Sequence, residues 1–72
     1  MIKAEFLKKL GKNIARLREE AGLSQVELAT RCNKDKQSLN RLEKGRVNPT
    51  VYYLVEIAKE LKIPVNELLD FK

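Results

Sequence analysis

Seventy-two residues with 43% apolar content make one small domain, with no space for a second core and little for an enclosed substrate cavity. No histidine and a single cysteine, Cys32, exclude an internal disulfide and effectively exclude zinc. Fifteen Lys and Arg against ten Asp and Glu give +5, concentrated in residues 1–50, which suits either a polyanionic partner or simply a solvated surface.

Strand signals are scarce, so the chain reads as all-α. The first predicted helix runs from about Lys3 to Ala21, with Leu7, Leu10, Ile14, Leu17 and Ala21 on one face and Gly22 as its stop. Gly11 lies inside it and weakens it by about 1 kcal/mol relative to Ala. Residues 1–9 are therefore expected to form either a separable arm or a helix extension.

Ser24-Gln25-Val26-Glu27 is a capping box that opens a second helix reaching Arg31 or Cys32, with Leu28, Ala29 and Cys32 inward. Asn33-Lys34-Asp35 makes a tight turn, because Asn tolerates positive φ and Asp35 is a good N-cap. Helix three spans about Lys36–Lys44, burying Leu39 and Leu42, and Gly45 ends it. Asn48-Pro49-Thr50 leads into helix four, about Val51–Leu61. Ile63-Pro64 then interrupts the chain before a short fifth helix, about Val65–Leu69. Cys32 falls in the apolar pattern and reads as a small hydrophobe.

The chemistry concentrates in helix three. With Leu39 and Leu42 inward, Lys36, Gln37, Asn40, Arg41 and Lys44 form an outward stripe at three-and-four spacing. Lys and Arg suit guanine O6 and N7, and Gln suits adenine N6 and N7, so this face fits a DNA major groove. Taken alone it also fits an ordinary solvated helix.

Leu23-Ser24-Gln25, Glu27-Leu28-Ala29, the Asn33 turn, Leu39, Arg41-Leu42-Glu43, Gly45 and Asn48-Pro49 together resemble the phage-repressor, or Xre-type, helix-turn-helix family. The resemblance covers about Leu10 to Leu69. It implies a five-helix, lambda-repressor-like domain with the helix-turn-helix at about residues 24–44, binding promoters as a dimeric repressor. It further implies that Lys36, Gln37 and Arg41 read bases, while Asn40 beside them is placed to reach a base or a phosphate. Gln25, Lys44, Arg46 and Asn48 are placed on phosphates, with Gln25 also bracing Lys36. Arg18 and Glu43 are placed in a partly buried ion pair. Three positions depart from the family pattern. Asn33 stands where Gly is usual, Lys34 where an apolar residue is usual, and Pro64 where a Ser usually caps the last helix.

Val65, Leu69 and Phe71 exceed what a short terminal helix buries, which suggests a homodimer interface; packing of the tail on its own core is the rival. Tyr52 and Tyr53 open helix four, where helix packing is favoured over a phosphate contact. The expectation is thus a sequence-specific regulator bound to double-stranded DNA at a palindromic operator, needing no cofactor. No apolar run approaches the ~20 residues of a membrane span and no signal-peptide core follows Met1, so a bacterial cytoplasmic or nucleoid location is expected. With no second domain for an inducer, regulation by dosage is the simplest scheme. The alternative is an antitoxin or protein-interaction module that uses the same fold on a protein partner. An enzyme finds no support, since neither a Cys–base pair nor a carboxylate cluster can be assembled.

Overall fold

In a computed structural model that describes residues 1–71, four α-helices are followed by one short 3₁₀ helix. They are α1 (Lys3–Glu20), α2 (Gln25–Arg31), α3 (Lys36–Glu43), α4 (Val51–Leu61) and the 3₁₀ segment Val65–Leu69. The fifth element is therefore not an α-helix. Pro64 precedes it without a side-chain cap, and five residues carry it through too little chain to settle into α-helical bonding. Lys72 lies outside the described residues.

Apolar spacing drives the assembly. Leu10, Ile14 and Leu17 of α1 meet Leu28 and Ala29 of α2, Leu39 and Leu42 of α3, Ile57 and Leu61 of α4, and Leu68 in one cluster. Leu7, one turn earlier on α1, is also buried, and α1 passes through Gly11 without a break. Ala21 departs from the expected face. It is exposed, because it closes the helix rather than packing beneath it.

The helix ends follow local chemistry. Ser24 Oγ accepts from Glu27 N at 3.0 Å while Glu27 Oε1 accepts from Ser24 N at 2.9 Å. Asp35 Oδ1 accepts from Ser38 N at 2.7 Å, and Thr50 Oγ1 from Tyr53 N at 3.0 Å. The four α-helices each close through a residue at positive φ: Gly22, Asn33, Gly45 and Lys62. After α2, for example, Asn33 N donates to Thr30 O and Lys34 N to Ala29 O, which satisfies carbonyls the helix leaves open. Asn33 thus does the work expected of the family's usual Gly.

Two long-range contacts fix the outer elements. Asn13 is buried on α1, and its Nδ2 donates to the carbonyls of Glu67 and Leu68, each at 2.9 Å. Phe6 and Phe71 lie with ring centroids 5.4 Å apart, so the chain's two ends pack on each other.

Candidate nucleic-acid interface

The helix-turn-helix pair is built so that α3 buries one side and presents the other. Leu39 and Leu42 are almost fully buried, while Lys36, Gln37 and Arg41 are exposed and Asn40 is half-buried. Lys36, Gln37, Asn40 and Arg41 line one shallow open concavity on the outer face. Three cationic or amide groups with long reach therefore sit around a fourth that is held closer to the protein.

The hold on Asn40 comes from α2. Asn40 Nδ2 donates to Gln25 Oε1 at 3.4 Å, and Gln25 Nε2 donates to Glu43 Oε1 at 2.8 Å. Gln25 thus bridges Asn40 and Glu43, whereas the family resemblance gives it Lys36 as its partner. Glu43 in turn takes Arg18 in a two-point pair, Nε to Oε2 at 2.7 Å and Nη2 to Oε1 at 3.1 Å. Arg18 Nη1 also donates to Leu23 O at 2.8 Å. Both side chains are buried, 10% and 6% exposed, so the pair is more deeply enclosed than the partial burial the resemblance implied. Hydrogen bonding to Glu43 outweighs desolvation and raises the Arg18 pKa further above its ordinary value, so the guanidinium stays charged at any ordinary pH.

Lys44 and Arg46, just past α3, line a second open groove with Lys8 and Lys12 of α1 and with Glu43 and Gly45. Asn48 is exposed on the loop that follows. The participation of Lys8 and Lys12 escaped the sequence reading, since nothing local to residues 8–12 says which end of which helix they meet. Gly11 between them carried the only hint.

Lys34, which stands where the family usually has an apolar residue, packs on an aromatic ring. Lys34 Nζ lies 5.2 Å from the centroid of the Tyr53 ring, where the aromatic face attracts a cation. Tyr53 is buried and Tyr52 is 71% exposed, so helix packing holds for the former only. Burial pushes the Tyr53 hydroxyl up to about 12. The Cys32 thiol, also buried, is pushed up to about 11 by desolvation, which makes it unreactive at neutral pH.

Residues 14–68 match the family model described as helix-turn-helix, HTH_3. The chain belongs to the helix-turn-helix family. A relative from Sinorhizobium fredii, the HTH-type transcriptional regulator y4dJ, is 47% identical over 65 residues, covering 90% of this chain and 84% of the relative. The restriction-modification controller protein C.AhdI from Aeromonas hydrophila superposes with a TM-score of 0.83 at 32% identity, over 86% of this chain and 94% of that one. The clp gene regulator ClgR from C. glutamicum gives 0.85 at 25% identity, over 89% and 82%. These helix-turn-helix likenesses make the chain a domain of the DNA-binding, transcription-regulating class and not an enzyme. No helix among the described residues is long and apolar enough to cross a membrane.

Proposed function

We propose that this protein is a homodimeric, sequence-specific binder of double-stranded DNA that represses or autoregulates the promoters it occupies, in the bacterial cytoplasm. The observation that carries this reading is the shared open face of Lys36, Gln37, Asn40 and Arg41 on a helix whose opposite side is buried. In the reading, α3 enters the major groove with its N-terminal end deepest, so Lys36 and Gln37 meet base edges and Arg41 takes a guanine in bidentate fashion. Asn40 contacts a base or a neighbouring phosphate. Gln25, Lys44, Arg46 and Asn48 grip phosphates and set the register without encoding sequence.

Dimerisation is assigned to the terminal 3₁₀ segment, where Val65 and Leu69 remain 39% and 48% exposed. Phe71 is half-buried against its own chain's Phe6, so it would border that interface rather than fill it. A two-fold dimer demands a palindromic operator with half-sites about 34–36 Å apart. Autoregulation by dosage is part of this reading, which reporter output from the protein's own promoter across a range of protein doses would test. Flat output would count against autoregulation.

Selection of bound duplexes from a random pool tests the central assignment. Recovered sites should share a symmetric pair of half-sites. Replacing Lys36 or Gln37 by Ala should cost roughly 1–3 kcal/mol on such a site and relax one base position. Equal losses on every sequence would reduce these side chains to phosphate contacts and remove the base-reading role.

A further inference from the structure

At the far end of α3 the fold brings two backbones unusually close. A Cβ placed on Gly45 would lie 2.7 Å from Lys8 Cα and 2.8 Å from Lys8 N. One placed on Gly11 would lie 2.5 Å from the Leu42 carbonyl oxygen and nearer still to that of Glu43. Both glycines are required for α1 to lie directly against the end of α3. This crossing sets Lys8 and Lys12 around the same groove as Lys44 and Arg46. All four side chains are exposed, and among the described residues none of them joins an ion pair.

The only acid in the groove does not neutralise them. Both Glu43 oxygens are already taken, by Arg18 and by Gln25. Four like charges around one open groove repel one another, and the repulsion is relieved only by counterions or an anionic partner. Neighbouring cations on α1 are handled differently: Lys9 lies 4.0 Å from Glu5, and Arg16 pairs with Glu20 at 2.8 Å. Lys8 and Lys12 are thus left without an acidic partner among the described residues, as are Lys36 and Arg41 on the outward face of α3. Lys44 caps α3 three positions after Arg41, so the groove begins where the proposed base-reading helix ends.

We infer that Lys8 and Lys12 of α1, together with Lys44 and Arg46, form a second phosphate clamp that holds the DNA backbone flanking the bases read by α3. The inference rests on the duplex-binding reading above and adds a specific element to it: α1, not only the helix-turn-helix, touches the nucleic acid. Such contacts add affinity on any sequence and release counterions, so they appear in the salt dependence rather than in base preference.

The test uses the full chain with two 30-base-pair probes, one recovered from the random pool and one of random sequence, titrated by fluorescence anisotropy from 0.05 to 1 M salt. The Lys8→Ala/Lys12→Ala variant should lower the magnitude of the salt slope by about 1.8 per bound protomer, or about 3.6 for the dimer, on both probes, at roughly 0.9 per phosphate. That slope change corresponds to about 60-fold weaker binding per protomer at 0.1 M salt, about 4000-fold for the dimer, vanishing toward 1 M. The ratio of affinities for the two probes should not change. Lys8→Arg/Lys12→Arg should restore the slope, and circular dichroism of both variants should match the parent. An unchanged slope in the Ala variant, with parent binding intact, overturns the clamp and leaves the α3 reading standing. Loss confined to the selected probe also overturns it, by making these lysines base readers. Parent protein that binds neither probe at 0.05 M salt removes both the clamp and the reading on which it rests.

Discussion

Gly11→Ala separates two opposite expectations. Helix propensity alone predicts stabilisation, because Ala at an interior helical position is favoured over Gly by about 1 kcal/mol. The packing predicts the reverse. The added methyl would sit 2.5 Å from the Leu42 carbonyl oxygen and 2.7 Å from the Glu43 carbonyl carbon, where carbon–oxygen contacts normally begin at about 3.3 Å. All the colliding atoms are backbone, so no rotamer change relieves them, and α1 must move away from α3 by about 1 Å.

Overpacking of this kind typically costs 1–3 kcal/mol, and a rigid backbone collision belongs at the upper end. After the propensity gain, the net loss should be about 2 kcal/mol. Against a total stability of roughly 4–11 kcal/mol for a chain this long, that is a large fraction, and it lowers Tm by about 10 °C. Far-UV circular dichroism of thermal and urea unfolding would measure it. An unchanged or higher melting temperature would show that the α1–α3 crossing can relax, and it would undo the argument that Gly11 exists for close approach.

Glu43→Ala strips Arg18 of its charged partner while leaving it buried, which should cost about 3–5 kcal/mol in urea unfolding; Arg18→Met/Glu43→Leu should recover most of it. A single-variant loss below about 1 kcal/mol would contradict the burial argument. Burial raises Cys32 from 9.0 to about 11 and Tyr53 from 10.0 to about 12, so the unfolded chain ionises first. Stability should be intact below pH 9 and fall by up to about 3 kcal/mol per group as pH rises through these windows; Cys32→Ala should flatten the denaturant midpoint between pH 9 and 10 and leave only the Tyr53 decline above it. Backbone and hydroxyl donation from Ser24 lowers the Glu27 pKa, and donation from Ser38 lowers that of Asp35. The stability contributed by these caps is present above the ordinary carboxylate range and lost as pH falls through the depressed values, and Asp35→Asn should shrink that acid loss. Lys62 sits at φ 60°, where a side chain costs roughly 1 kcal/mol, so Lys62→Gly should raise Tm by several degrees; a decrease would mean that the Lys62 stem contributes packing.

What the sequence made legible was local. Ser24 and Glu27 are three residues apart, Leu39 and Leu42 likewise, and each pairing is decided within one helical turn. The stripe Lys36, Gln37, Asn40, Arg41 follows directly once Leu39 and Leu42 are turned inward. The remainder depends on docking between elements. Gly11 looks like a weak point until the Leu42 and Glu43 carbonyls are brought against it. Asn13 reads as one more polar residue on α1 until its amide meets the end of the 3₁₀ segment 54 residues away. Lys62 gives no sequence signal of positive φ, because the demand comes from Ile63, which bonds back to Ala58 and packs on the core. The assignment of Phe71 to a dimer face overlooked Phe6, which lies within the stretch left open as an arm.

The placement of Glu43 explains why a buried ion pair is kept where apolar residues could serve stability as well. Its two oxygens accept from Arg18 on α1 and from Gln25 on α2, so one carboxylate at the end of α3 fixes that helix against both neighbours at once. An apolar replacement could fill the volume but could not dictate the rotation of α3 about its own axis, which hydrogen-bond directions do. The contacts on Glu43 run from 2.7 to 3.1 Å, from Arg18 and Gln25, whereas Asn40 to Gln25 is 3.4 Å. The last is at the weak limit of a hydrogen bond. On the duplex-binding reading, the helix is therefore rigid at its root, and Asn40 can trade its Gln25 partner for a group on DNA at little cost.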